Sequence, residues 1–422
     1  MTLSIRDFLS DSDHTNVDHS QAFQDAWKAL CGAKENEANS LVIHANETYT
    51  ILPQLFQGPC VSRNLHIQID GKIEAPTMVK GWGSKKSEYW LCFEKVTGLV
   101  LNGSGVLNTH GGNWWSSVEV YSRPEAVRFF ACNDIIYNGI TQMDSPKNHI
   151  SVLNCVNATI SNLRLIAPAN SPNTDGIDIC LSHNIHIFDS SIETGDDCVA
   201  INGSSYDINI TRVACGPGHG ISIGSLGKGG AMDTVQNVNV RDCTFSGTAN
   251  GARIKTWPGG RGFAKNILYE NITLINAKFP IIIDQHYCDG GSCKPAGGTA
   301  VKVSDVTFKY FKGTCSGESD AIKLDCDKNV GCDNIVMEHI NITSSSPKTL
   351  LHAFCQFAHV ISRFVSIDIK CDAHDHKDPQ PPSPFPALAP STPYAKPPSP
   401  DAQPPTPIAQ PPLFSFPFLY FD

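Results

Sequence analysis

The chain has 422 residues, 41% of them apolar, with 33 glycines and a formal net charge of −9. That length holds one large domain or two ordinary ones. The negative balance argues against a nucleic-acid surface, and no apolar run approaches the roughly 20 residues that span a bilayer.

Residues 1–17 read as an N-terminal segment ahead of the fold. "MTLSIRDFLSDSDH" has no apolar h-region, so no signal peptide is visible. Sixteen cysteines nevertheless point to an oxidising compartment. Seven Asn-x-Ser/Thr sequons point the same way, beginning at Asn46, Asn102, Asn157, Asn202, Asn209, Asn271 and Asn341. Together they predict a secreted, disulfide-bonded glycoprotein whose leader is missing from this start.

Over Asp18–Cys31, Ala22, Phe23, Ala26, Trp27 and Leu30 share one helical face. One amphipathic helix is predicted there, with Ser20 as its N-cap. From about Ile43 to Lys370 the pattern changes to short β-branched alternations broken by Gly, Asn, Asp and Ser. Anchors at Ile160, Ile185, Ile208, Val238, Ile267, Val306 and Ile335 recur at intervals in the range of a solenoid repeat. Each interval holds two or three strand-sized pieces and no long helical period. A sandwich or propeller would show regular two-residue hairpin signals, but Asn102-Gly103, Asn202-Gly203 and Asn250-Gly251 are few and unevenly placed. The fold class is therefore all-β: a right-handed parallel β-helix over residues 18–371. The helix caps its first coil, and a loop insertion falls between Ile267 and Val306. Residues 372–422 are Pro-dense without a packing period and read as an extended, disordered tail.

On such a solenoid, residues one coil apart stack about 4.8 Å from each other. If Asp175 to Asp196, Asp197 to His219, and His219 to Arg253 are each one coil, one sheet face gathers them all. Lys255, two residues beyond Arg253, points to the same side. One groove would then hold three carboxylates, an imidazole, a guanidinium and an ammonium. The bland readings weaken under this arrangement. A lone His is usually structural, and Asp178 in "DGIDI" is assigned to the backbone needs of a turn. "GHGISIGSLGKGG" imitates a phosphate loop but lacks its first Gly and the Ser or Thr after Lys228.

The ordered motifs "SPNTDGIDI", "TGDDC", "CGPGHGISIGSLG" and "ARIK" resemble those of the polygalacturonases, glycoside hydrolases of family 28, most of all the plant branch. The resemblance runs from about Gln21 to Cys371. It departs at "LSDSDHTNVDHS", where relatives carry a glycine-rich turn. It implies a β-helix that cleaves α-1,4 bonds of polygalacturonate with inversion. Inversion takes a protonated carboxyl and an opposed carboxylate roughly 6.5–9.5 Å away. On the family pattern Asp196 is the general acid, Asp175 and Asp197 activate water, and His219 tunes or relays the proton. Arg253 and Lys255 match the substrate-binding pair, and Tyr287 the groove tyrosine. The family joins Cys198 to Cys215, and Cys288/Cys293, Cys326/Cys332 and Cys355/Cys371 are local pairs by spacing. No metal site or cofactor is expected. The expected partner is acidic homogalacturonan, with no nucleic acid and no membrane span, for a monomer acting in the cell wall. The rival readings are a non-catalytic pectin-binding β-helix and a Ca²⁺-dependent lyase on the same fold.

Overall fold

The computed structural model describes residues 2–10, 18–34, 39–83, 87–288, 293, 298–316, 320–346 and 348–372. The Pro-rich tail from 373 onward lies outside the described residues. So do residues 289–292 and 294–297 of the interval expected to carry the insertion. Every strand pairing recorded is parallel and joins one coil to the next, which makes the fold a right-handed parallel β-helix. No described helix is long and apolar enough to cross a membrane.

The helix α1 spans Ser20–Gly32 and buries the predicted face of Ala22, Phe23, Ala26, Trp27 and Leu30. Trp27 meets Phe56 in a tilted contact at 5.4 Å, and Phe23 meets Tyr49 edge-on at 5.7 Å, so the helix closes the open end of the first coil. Ser20 is not the N-cap. It is the first helical residue, and its N–H and hydroxyl both donate to the Asp18 carboxylate. The segment expected to precede the fold adds one rung to it, because Thr2–Ser4 pairs with Ser40–Ile43.

One sheet of eleven strands carries the outward groups of interest. In chain order its strands are β1 (Gln54–Gln57), β2 (Tyr89–Glu94), β3 (Glu125–Phe130), β4 (Ile150–Leu153), β5 (Ile177–Cys180) and β6 (Val199–Ile201). They continue as β7 (Ile221–Leu226), β8 (Asn250–Thr256), β9 (Phe279–Asp284), β10 (Asp320–Asp325) and β11 (His352–Gln356). Inside, Val152, Ile179, Ile201, Ile223, Ile254, Ile283 and Leu324 stack in register down the solenoid. All are essentially excluded from water, and each contributes about 1.5–3 kcal/mol of burial. Outside, the register aligns Ser151, Asp178, Ala200, Ser222, Arg253, Ile282 and Lys323. Hydrophobic columns therefore fix which polar residues face the groove.

The remaining nineteen strands build the other faces. Their anchors pair as Ile185, Ile208, Val238, Ile267, Val306 and Ile335, but the partner of Ile185 is Ala158 and not Ile160. Each coil bends at a left-handed residue. Asp134, Asn157, Asn184, Asp207, Asn237, Asn266, Asp305 and Asn334 all have φ between 51° and 58°. Asn and Asp tolerate that conformation. Their side chains bond from coil to coil, as in Asn157 to Asp134 at 2.9 Å and Asn237 to Asp207 at 2.8 Å.

Five disulfides form. Cys198–Cys215, Cys288–Cys293, Cys326–Cys332 and Cys355–Cys371 follow the expected pairings, and Cys31–Cys60 was not foreseen. It ties the end of α1 to the segment after β1. The other six cysteines are buried.

Candidate active site

Asp175 stands two residues before β5, and Asp196 and Asp197 stand in the turn before β6. That coil is 22 residues long, since Ile177 pairs with Val199. Asp175 is therefore level with Asp197, not with Asp196. Asp197 is in turn level with His219, because Val199 pairs with Ile221. The next coil is 31 residues: Ser222 pairs with Arg253, and His219 is level with Asn250. Arg253 sits beside Ser222, not below His219. The predicted groups do converge, but around a serine that sequence reasoning passed over.

The TGDD turn owes its shape to close packing. Gly195 donates its N–H to the Thr174 hydroxyl at 3.0 Å. A Cβ on Gly195 would lie 1.9 Å from the Ser171 carbonyl oxygen, so only glycine fits. The Asp197 N–H donates to the Asp196 carboxylate at 2.9 Å, which turns the Asp196 side chain back over its neighbour. Cys198, bonded to Cys215, anchors the turn from below. Behind Asp175, His149 is fully buried. Its backbone N–H donates to the Asp175 carbonyl at 2.8 Å, and its Nδ1 lies 3.1 Å from the same oxygen.

Asp197 is wholly buried and surrounded by donors. Arg253 reaches its Oδ1 at 2.5 Å, and the Ser222 hydroxyl donates to the same oxygen at 2.8 Å. Arg253 Nε donates to Ser222 at 2.9 Å, so the serine bridges acid and guanidinium. Lys255 stands 3.2 Å from Asp197 Oδ2, with its ammonium 5.0 Å from the Tyr287 ring. Asp196 takes a different partner, His219 Nδ1 at 2.8 Å.

These contacts separate the titrations. Burial first, then Asp196, Asp178 and Asp197, push Asp175 well above the usual carboxylate range. Burial also pushes Asp196 up. The His219 hydrogen bond and charge, with Lys255 and Arg253, outweigh it and hold Asp196 below its ordinary value. His219 is raised, chiefly by that same hydrogen bond. Asp178, assigned above to a turn, instead faces outward from β5 as a fourth carboxyl. Burial raises it well above the usual range, and its Oδ1 has no partner among the described residues.

Two side-chain groups have metal-like spacing among the described residues: Asp196, Asp197 and His219, and Asp284, His286 and Asp325. Each already has a built-in cation beside it. Lys255 and Arg253 serve the first, and Lys323 lies 3.2 Å from Asp325 in the second. Asp196, Asp197 and His219 offer ligand atoms within 4.8 Å of one another, closer than the expected gap between opposed carboxyls.

Residues 31–360 match the model of the glycosyl hydrolases family 28. The chain is 45% identical to a probable polygalacturonase of Arabidopsis thaliana over 332 residues, 78% of this chain and 71% of the relative. It is 39% identical to a polygalacturonase of Persea americana over 353 residues, 82% of this chain and 75% of the relative. In fold it is similar to an exopolygalacturonase from Thermotoga maritima. The TM-score is 0.70 at 18% identity, covering 87% of this chain and 92% of that one.

Proposed function

The chain belongs to the glycosyl hydrolases family 28, and from that premise we propose that it hydrolyses α-1,4-galacturonosyl bonds of polygalacturonate with inversion. The carrying observation is the meeting of Asp175, Asp196 and Asp197 on adjacent coils, with His219 on one side and Arg253 and Lys255 on the other.

In this reading Asp196 is the general acid, and the proton it delivers is shared with His219 across 2.8 Å. Asp175 and Asp197 take the water. Asp196 and Asp197 are too close to hold a water between them, so it sits to one side, against the level pair Asp175 and Asp197. The upward displacement of Asp175 makes it the stronger base once it is ionised. Arg253 and Lys255 meet substrate carboxylates: Arg as a planar fork, Lys as a point charge. A uronate that draws these cations towards itself weakens their hold on the cluster. Asp196 then moves up and loads its proton as substrate binds. Tyr287 lines the groove beside Lys255. A galacturonan substrate places the enzyme in the cell wall. Five disulfides suit a secreted protein of that kind.

The test is release of reducing ends from polygalacturonate by the wild type and by Asp196→Asn. The wild type is expected to release them and the variant not. Equal release by both removes the acid assignment. Products with the ultraviolet absorbance of an unsaturated uronate would replace hydrolysis with elimination. Chromatography of early products separates end-wise from internal cleavage.

A further inference from the structure

We propose that Ser222 anchors the Asp197 carboxylate by one oxygen, Oδ1, while bound substrate uncovers the other, Oδ2, for the attacking water. The proposal rests on the hydrolytic reading above and gives a task to a residue which that reading leaves idle.

Asp197 is fully enclosed, and so is Ser222. Water reaches this carboxylate only when one of its neighbours moves. The two oxygens are held differently. Oδ1 accepts from the Ser222 hydroxyl at 2.8 Å and from Arg253 Nη2 at 2.5 Å. Oδ2 accepts no aligned hydrogen bond among the described residues and has only the Lys255 ammonium, 3.2 Å away. Oδ2 is thus closed off by charge, and Lys255 is the group that closes it.

These three holders respond differently to a uronate. Arg253 and Lys255 are cations, and a substrate carboxylate competes with Asp197 for both. Ser222 is neutral. In the outward row it stands between Ala200 of β6, which has no side-chain donor, and Arg253 of β8. Ser222 is therefore the one neutral donor to the Asp197 side chain among the described residues, and the one that substrate does not recruit. Its hydroxyl carries a single proton. Arg253 Nε donates to the same oxygen at 2.9 Å, which leaves that proton directed at Asp197. Without the serine, the carboxylate is free to swing after the departing cations. With it, Oδ1 stays in place and Oδ2 faces the space that Lys255 vacates. Ser222 touches no substrate, so its role is to position Asp197.

Steady-state kinetics of Ser222→Ala and Ser222→Thr on polygalacturonate across pH test this. Ser222→Ala is expected to lower kcat about ten- to a hundredfold, the worth of a hydrogen bond to a charged group. KM should stay within about threefold of the wild type. The lost bond favours an ionised carboxylate, so the acid limb moves to higher pH. The movement is larger in kcat, which reports the complex, than in kcat/KM, which reports the free enzyme with Arg253 and Lys255 still on Asp197. The other titratable groups facing Asp197 are the same in both proteins. They are Asp175, Asp178, Asp196, His219 and Tyr269, whose hydroxyl donates to the Ile221 carbonyl at 3.1 Å. Ser222→Thr keeps the hydroxyl and should recover both kcat and the limb. Wild-type kcat in Ser222→Ala overturns the proposal. So does a joint fall of kcat and melting temperature with the acid limbs in place, which marks a structural role. If the wild type releases no reducing ends, the hydrolase reading fails and the proposal falls with it. An active wild type with an unaffected Ser222→Ala removes the proposal alone.

Discussion

Replacing His219 with Gln interrogates the proton arrangement directly. His219 Nδ1 lies 2.8 Å from the Asp196 carboxylate, and that contact raises His219 while holding Asp196 down. A hydrogen bond between charged partners is worth about 1.5–3 kcal/mol. His219, displaced upward, keeps its proton until pH rises through a value above its ordinary 6.5. Beyond that the pair has no proton to deliver, so the alkaline limb of kcat/KM in the wild type lies above 6.5. Gln leaves Asp196 as the only acid, and a carboxyl loses its proton at lower pH. The limb therefore moves to the acid side. At the optimum, kcat falls by about 10²–10⁴, the usual worth of a positioned proton relay. The assay is reducing-end release from polygalacturonate across the acid-to-neutral range at constant ionic strength. The His219 side chain is 39% exposed, so melting temperature should change little and separates catalysis from folding. A limb that stays in place, or moves to higher pH, refutes the shared proton.

Three further outcomes are expected. Asp175 has a raised folded value, so its stabilising contribution is complete below the unfolded carboxylate value and is lost as pH rises through the folded one. Asp175→Asn should melt higher than the wild type at neutral pH. It should show no gain in strong acid and release no reducing ends; calorimetry over pH checks this. Gly195→Ala drives a Cβ against the Ser171 carbonyl. By displacing Asp196 it should cut kcat/KM by about 10²-fold, and wild-type kinetics would contradict the packing argument. Removing Cys31–Cys60 with a double Ser variant opens a 29-residue link. A loss of about 3–4 kcal/mol follows from chain entropy, read as a lower urea midpoint with kcat retained.

The solenoid was legible because its core is written as alternating β-branched residues, and stacked coils must repeat that signal. The alternation does not say which of two inward residues stands on a given rung. Ala158 and Ile160 both face inward, and the larger was mistaken for the partner of Ile185. Coil length was hidden for a related reason. The turn carrying Lys228 lengthens one coil to 31 residues, and nothing in its Gly-rich sequence fixes where the next strand resumes. The acids, His219 and the two cations carry charge and so announce themselves. Ser222 does not: a strand serine is ordinary until its register places it between Asp197 and Arg253. Its only signal was shared alternation with Arg253. Asp178 was obscured by the turn chemistry around it, although its place in β5 gives it the groove. Cys31 and Cys60 lie on a helix and a loop that meet only after the cap docks, beyond the reach of local spacing.

The six buried thiols bear on what happens when the molecule is heated. Burial pushes those of Cys92, Cys180 and Cys243 up to about 12, so in the native state they scarcely ionise. Thiolate is the species that attacks a disulfide. Five bridges and six buried thiols thus share one chain, kept apart by packing. Unfolding removes that partition and returns each thiol to an ordinary acidity. Scrambling then competes with refolding, and loss of structure becomes a one-way event governed by the unfolding rate. Acidic surroundings, in which thiols stay protonated, lengthen the time during which a melted chain still finds its way back.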